Sequence, residues 1–305
     1  YLFFAELWER FSFYGMRALL TLYMVNVIFL ELVERDFAAA AVYASYGSLV
    51  YASTVVGGRI SDSILGFRKS IFLGGILMAL GHFVLAIEND YTFFLALGFI
   101  VVGNGFFKPN ISTFVGSLYE DKDPRKDSGF TIFYMGINLG GALGPLVAGA
   151  VAASFGWQYG FVAAGVGMVL SVLLQLALSN KYLGDIGIVP AAKLAQQQST
   201  TGTKEPLTKV EMDRIKVIFT MSVFSIIFWM GFEQAGGLMN LFTNEFTDRM
   251  VGSFEVPTTW FQSLNAIFIV LFAPVIASIW IRLGKNEPNS PVKFALGLFL
   301  LAIGF

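Results

Sequence analysis

Apolar runs of roughly twenty residues follow one another from the first residue to the last, and no other feature restricts the fold as strongly. A helix needs about 20 residues to cross the ~30 Å hydrocarbon layer, where each backbone N–H and C=O must be paired inside the protein. Nine spans are expected, at approximately residues 2–29, 38–57, 70–87, 91–116, 130–153, 159–178, 217–243, 260–281 and from 292 onward. With 56% hydrophobic and 13% charged residues, the chain has more apolar surface than a soluble core could cover. The expected fold class is an all-α polytopic membrane protein. The ninth run, from Val292 to Phe305, makes about 21 Å of helix and falls short of a full crossing, so the sequence is expected to stop inside a helix.

Loop cations orient such a chain. Fifteen Lys and Arg fall in loops of one side, among them Arg59, Arg68, Lys69 and Lys181, against Arg35 and Arg249 on the other. The richer side and the N-terminus are therefore expected in the cytoplasm. The first run carries Glu6, Glu9, Arg10 and Arg17, which suits a mature span and not a signal peptide. After six spans the polar stretch 181–216, with Gln196–Gln198 and Ser199–Gly202, reads as a cytoplasmic linker. This predicts a six-helix bundle over 1–180, the linker over 181–216, and the first three helices of a second bundle over 217–305. The loop from Gly58 to Lys69 resembles the signature loop of the major facilitator superfamily, in which Asp62 would hold a neighbouring helix end.

Several function classes are excluded early. A net charge of -1 gives no field for nucleic acid. Without cysteine there is no disulfide, thiolate metal site or Cys nucleophile, and His82 alone builds no metal cluster; it reads as a packed helix residue. The spans offer no Ser–His pair for an intramembrane enzyme, and no loop cradles nucleotide phosphates, so neither an enzyme nor a cofactor is expected.

The informative residues are charges inside the spans. Each costs at least ~2.5 kcal/mol at the bilayer centre, so it is expected to face a partner or a wet cavity. Glu6, Glu9, Arg10 and Arg17 fall on one helical face at i, i+3, i+4 and i+11. Two acids beside an arginine form a competent proton switch, because making or breaking the pair changes proton affinity. In the fourth span Lys108 precedes Pro109, which should break the helical ladder, and the lysine reads as an anion binder or ion-pair partner. In the fifth, Asn138 precedes Gly140, Gly141, Gly144 and Pro145, small residues that allow close helix approach, with the Asn as interhelical glue or cavity ligand. Glu233, midway along the seventh span, is the acid of the second bundle, and its natural partner is a cation of the first. Asn265, with Gln262 a turn before it, is a weaker polar lining group.

The block Glu6-Leu-Trp-Glu9-Arg10-Phe11-Ser-Phe13-Tyr14-Gly15 resembles the Glu-x-x-Glu-Arg-Phe-x-Tyr-Tyr-Gly motif of the proton-dependent oligopeptide transporter family. Phe106-Phe-Lys108-Pro109-Asn110, Phe130 through Gly140, and Phe228-Trp229 through Glu233-Gln234 resemble its later blocks in order. The resemblance implies proton-coupled import of di- and tripeptides across a bacterial inner membrane, driven by the proton gradient. It implies that Glu6, Glu9 and Arg10 couple protons, and that Arg17, Tyr14, Tyr51, Lys108, Tyr134, Asn138, Glu233 and Asn265 line the peptide site. Arg17 and Glu233 would form an extracellular gate. Phe13 stands where the motif has tyrosine and would remove a hydroxyl from the cavity; Asn265-Ala266 replaces an Asn-Pro pair and puts a kink there in doubt. The linker has no room for the helical hairpin that bacterial members often carry there. An alternative cargo on the same fold is nitrate or another small anionic solute.

Overall fold

A computed structural model describes residues 1–120, 123–193 and 208–305, so Gln196–Gln198 and Ser199–Gly202 of the expected linker lie outside the described residues. The helices are α1 (Leu2–Tyr23), α2 (Arg35–Ile60), α3 (Phe67–Leu85), α4 (Asp90–Ser117), α5 (Lys126–Phe155) and α6 (Trp157–Leu183), followed by α7 (Lys209–Phe232), α8 (Leu238–Phe246), α9 (Phe261–Leu283) and α10 (Ser290–Gly304). A hairpin of two short strands, Met250–Val251 and Phe254–Glu255, joins α8 to α9. Among the described residues, eight helical stretches are long and apolar enough to cross a membrane, with α7 and α8 counted as one; α10 is shorter. The seventh span differs from the uninterrupted helix expected: a 3₁₀ turn, Glu233–Gly236, divides α7 from α8. Gly236 and Gly237, the weakest helix formers in the span, sit at the break.

Small residues set the helix spacing, because without a hydrophobic drive between helices close backbone approach supplies the attraction. Along α5, Gly136, Gly140 and Gly144 recur every four residues, each against the next turn of α1. A Cβ on them would lie 2.9 Å from the Phe3 carbonyl oxygen, 2.3 Å from that of Leu7 and 2.3 Å from that of Phe11. Thus α1 lies in a glycine groove of α5, with α6 behind it: Ser171 Oγ donates to the Ala5 carbonyl at 2.7 Å.

Pro109 does not break α4, which runs through it to Ser117. Proline removes one bond, the one its N–H would have made to the Gly105 carbonyl four residues back. That oxygen is the atom against which Gly57 of α2 packs: a Cβ on Gly57 would lie 2.1 Å from it. The freed acceptor is covered by a neighbouring Cα and not by a cavity, a contact of the Cα–H···O kind. Gly57→Ala is therefore expected to cost about 1–3 kcal/mol, since backbone on both sides leaves nothing to yield. Gly47→Ala on the same helix, with nothing within 4 Å of its Cβ, should be neutral or slightly stabilising. Thermal melting of the two variants in detergent checks the pair, and equal melting points would contradict the packing.

The signature-like loop is tied by a residue other than the one expected. Asp62 is exposed and has no ion-pair partner among the described residues. Arg68 makes the tie instead: Nη1 donates to the Gly184 carbonyl at 2.6 Å, and Nη2 to Ser179 Oγ at 2.9 Å and to Asn180 Oδ1. Gly66, at φ +79°, lets the loop pass against the Ile188 carbonyl, where a Cβ would stand at 2.5 Å.

Burial is uneven along the chain. Most of α1 is buried, including Glu6, Glu9 and Arg10, whereas α7 and α10 bury no residue and α9 buries Ser263 and Ala266 alone. The outward side chains of α7 are apolar, Ile218, Phe219, Val223 and Ile226 among them. Apolar residues in that position are what lipid contact requires.

Candidate functional site

Among the described residues, the hydrogen bonds between the two groups of helices gather at one end. Arg17 and Thr21 of α1 reach the turn after α7, where Arg17 Nη2 donates to Glu233 Oε2 at 2.6 Å and Thr21 Oγ1 to the Gly236 carbonyl at 2.7 Å. Asn240 Nδ2 of α8 donates to the Ala18 carbonyl at 3.0 Å. On α9, Ser263 Oγ donates to the Ala142 carbonyl at 2.7 Å, and just before it Trp260 Nε1 donates to that of Leu146 at 3.0 Å. All of these lie in the helix halves nearest the loops that hold Arg35 and Arg249.

Below this seam is a cavity of about 490 Å³, within the usual size for small-molecule sites. Ten of the eleven residues that the resemblance assigns to proton coupling and the peptide site line it: Glu6, Arg10, Tyr14 and Arg17 from α1, Tyr51 from α2, Lys108 from α4, Tyr134 and Asn138 from α5, Glu233 after α7, and Asn265 from α9. The exception is Glu9, which is fully buried behind the wall. The reason is angular: at 100° per residue Glu6, Arg10, Tyr14 and Arg17 form a narrow stripe, and Glu9 falls to one side of it. Phe13 also lies off the cavity, buried, with the Arg10 guanidinium carbon 5.7 Å from its ring centroid. The hydroxyl it lacks is therefore missing from the packing around Arg10 and not from the cavity.

The charges of the wall are nearly all paired. Arg10 Nε lies 2.8 Å from Glu6 Oε1, with hydrogen-bond geometry, and 2.5 Å from Glu9 Oε2. Arg17 divides its donors between Glu233 and Tyr43, whose Oη accepts from Nε at 2.6 Å. Tyr51 Oη donates to Glu233 Oε1 at 3.3 Å. Lys108 alone among the wall cations has no ion-pair partner among the described residues; its Nζ stands 4.4 Å from the Tyr51 ring centroid, a cation–π contact. Asn138 is neither interhelical glue nor idle: its Nδ2 donates to the Tyr134 carbonyl of its own helix at 2.9 Å, and the residue faces the cavity. His82 is fully buried in α3, with no hydrogen-bond partner among the described residues.

The sequence reading missed Tyr43, which holds Arg17, and the apolar wall from Ile137, Trp229, Phe232, Met239 and Ile269. Tyr43 lies in a run of alanines without charge, so its only signal was a hydroxyl inside a span. The apolar wall carried none, since Trp and Phe face lipid as readily as cargo.

A cavity at the junction of two helical groups, lined by intramembrane charges and closed at one end by the Arg17–Glu233 ion pair and hydrogen bonds, defines a secondary transporter of the major facilitator type. The sequence profile of the POT family matches residues 68–185 and 178–305, and the chain belongs to that family. Among curated relatives it is 36% identical to an uncharacterized transporter, YclF, of Bacillus subtilis, covering 100% of this chain and 71% of that one. It is 34% identical to the peptide transporter YePEPT of Yersinia enterocolitica, covering 100% and 71%. These alignments run over 355 and 367 positions, so at least 50 positions of each relative have no counterpart in this chain. Among solved structures, a peptide transporter POT variant in complex with alafosfalin superposes with a TM-score of 0.88 at 34% identity, covering 99% of this chain and 71% of that one. A POT family transporter in complex with a thioalcohol-conjugated peptide gives 0.88 at 31%, covering 99% and 73%.

Proposed function

We propose that this chain carries di- and tripeptides across the membrane in symport with protons, by alternating access. Peptide transport follows from the family and from relatives named as peptide transporters, one of them a di-/tripeptide transporter of Lactococcus lactis. The observation that carries the finer reading is Lys108. In a cavity where Arg10 and Arg17 are already matched to acids, it is the cation left to meet a carboxylate. A short peptide brings one carboxylate and one amine at its ends and generic side chains between them. The side chains suit the wall of Ile137, Trp229, Phe232 and Met239, which would be wasted on a bare ion. Nitrate draws no support from these relatives, none of which is named for it.

In this reading residues 1–180 and 217–305 rock about the cavity on the linker 181–216, with the N-terminus cytoplasmic by the loop-cation rule. The seam of Arg17, Thr21 and Asn240 is then the extracellular gate in its closed position. Glu6 and Glu9 exchange protons, with the permanently charged Arg10 as their shared partner. A proton can drive the change only by binding one state better than the other. The test is uptake of labelled dialanine into proteoliposomes. Accumulation should follow an inward proton gradient and yield to excess unlabelled dipeptide but not to nitrate. Uptake that ignores the gradient removes coupling; uptake displaced by nitrate removes the cargo assignment.

A further inference from the structure

A second cavity, of about 300 Å³, lies between the start of α3 and the end of α6, at the end of the protein where most loop cations gather. Arg68, Lys69 and Phe72 line it from α3, and Gln175, Leu176, Ser179 and Asn180 from α6, with Ile188 at its edge. It shares no residue with the transport cavity.

Each side-chain acceptor at its rim already takes one hydrogen bond, while several donors have no acceptor. Gln175 Oε1 accepts from Tyr1 Oη at 2.7 Å, Ser179 Oγ accepts from Arg68 at 2.9 Å, and Asn180 Oδ1 accepts from the same guanidinium. What remains is the Gln175 amide nitrogen, the Ser179 hydroxyl proton, the Asn180 amide nitrogen, the Lys69 ammonium and Arg68 Nε. Gln175 is only 5% exposed, and its Nε2 finds no acceptor among the described residues. A buried donor left unmatched costs about 1–3 kcal/mol, so a ligand rich in acceptors has something to gain. Among the described residues, no acid lines the cavity. The remaining wall is apolar, and Leu173 and Leu176 beside it stand exposed on the outer face of α6.

The geometry points to a binding site for the phosphate of an anionic phospholipid headgroup, with Lys69 and Gln175 as its principal donors and the acyl chains along Phe72 and Leu176. Phosphate supplies several acceptor oxygens and a charge, which a rim rich in unpaired donors and cations matches. A lipid supplies an apolar tail as well, and that selects it over free phosphate. Because Arg68 is bonded to Ser179 and Asn180 in the last turns of α6 and to the Gly184 carbonyl just after it, a headgroup beside it would also brace the point where the linker leaves the bundle.

Native mass spectrometry of the detergent-solubilised transporter, offered equal phosphatidylglycerol and phosphatidylcholine, tests this. The parent should retain phosphatidylglycerol preferentially. Lys69→Gln should cut that preference about fivefold, the worth of one interfacial lysine, and adding Gln175→Leu should bring it to parity. Neither variant touches the transport cavity, so dipeptide affinity should not move, which separates this outcome from failure of the transport reading. Equal retention of the two lipids by the parent, or an unchanged preference in the double variant, overturns the site. Displacement of the lipid by millimolar inorganic phosphate would make the ligand a free ion and overturn the lipid assignment.

Discussion

Glu9→Gln is expected to abolish accumulation of dipeptide against its gradient while leaving exchange of labelled for unlabelled dipeptide within about twofold of the parent. Glu6 and Glu9 share Arg10 inside the protein, all three within 2% of full burial. With both carboxyls ionised the trio carries one negative charge, and with one protonated it carries none. Burying a net charge is expensive, so the proton on this cluster and the position of Arg10 are tied together. Glutamine keeps the shape of the side chain and cannot gain or lose the proton. Because Glu9 stands behind the cavity wall, the peptide does not meet the change, and this makes binding and coupling separable. A one-unit pH gradient supplies about 1.4 kcal/mol per proton, or tenfold accumulation, and that factor is what the variant should lose. A Glu9→Gln variant that still concentrates dipeptide under a proton gradient would end the coupling proposal at this residue.

The same cluster shows how far the sequence can be read. Charges in a span are too costly to be incidental, so Glu6, Arg10, Arg17, Lys108 and Glu233 announce a polar interior, and all five line the cavity. Glu9 joins them in the sequence because i, i+3 and i+4 count as one face. The count hides some 60° of rotation, enough to move a side chain from wall to interior. Pro109 reads as a break because proline removes a bond. Which carbonyl loses its partner is local arithmetic, but what covers it is tertiary: Gly57, forty-eight positions before the Gly105 carbonyl. Asp62 and Arg68 are equally eligible to tie the signature-like loop. The choice depends on where α6 ends, and that is not a property of the loop. The break after Glu233 has a signal in Gly236-Gly237, but glycines are common in spans and also serve packing, as along α5.

Gly236 is the point at which one methyl group should shift the balance between gate states. It is buried in the 3₁₀ turn, and a Cβ there would lie 2.0 Å from Tyr43 Oη and 2.9 Å from Arg17 Nε. Those two atoms are bonded to each other at 2.6 Å, and the same arginine reaches Glu233, while the Gly236 carbonyl holds Thr21. Gly236→Ala thus drives a methyl into the junction of the contacts that close this end. Overpacking of this kind costs about 1–3 kcal/mol, and every 1.4 kcal/mol is tenfold, so the ratio of open to closed gate should rise about five- to hundredfold. The cysteine-free chain allows spin labels at Val33→Cys and Phe246→Cys, both exposed near the seam, without background. Their distance distribution should gain a longer component in Gly236→Ala and stay unchanged in Gly297→Ala, where nothing lies within 4 Å. Tyr43→Phe added to Gly236→Ala removes the oxygen nearest the methyl and should restore part of the shorter distance. Since each change alone weakens the gate, such a recovery cannot arise from independent effects. Unaltered distances in Gly236→Ala would show that the seam does not hold the two helical groups together, and a double variant further opened than either single would show that the methyl does not act through the Tyr43 oxygen.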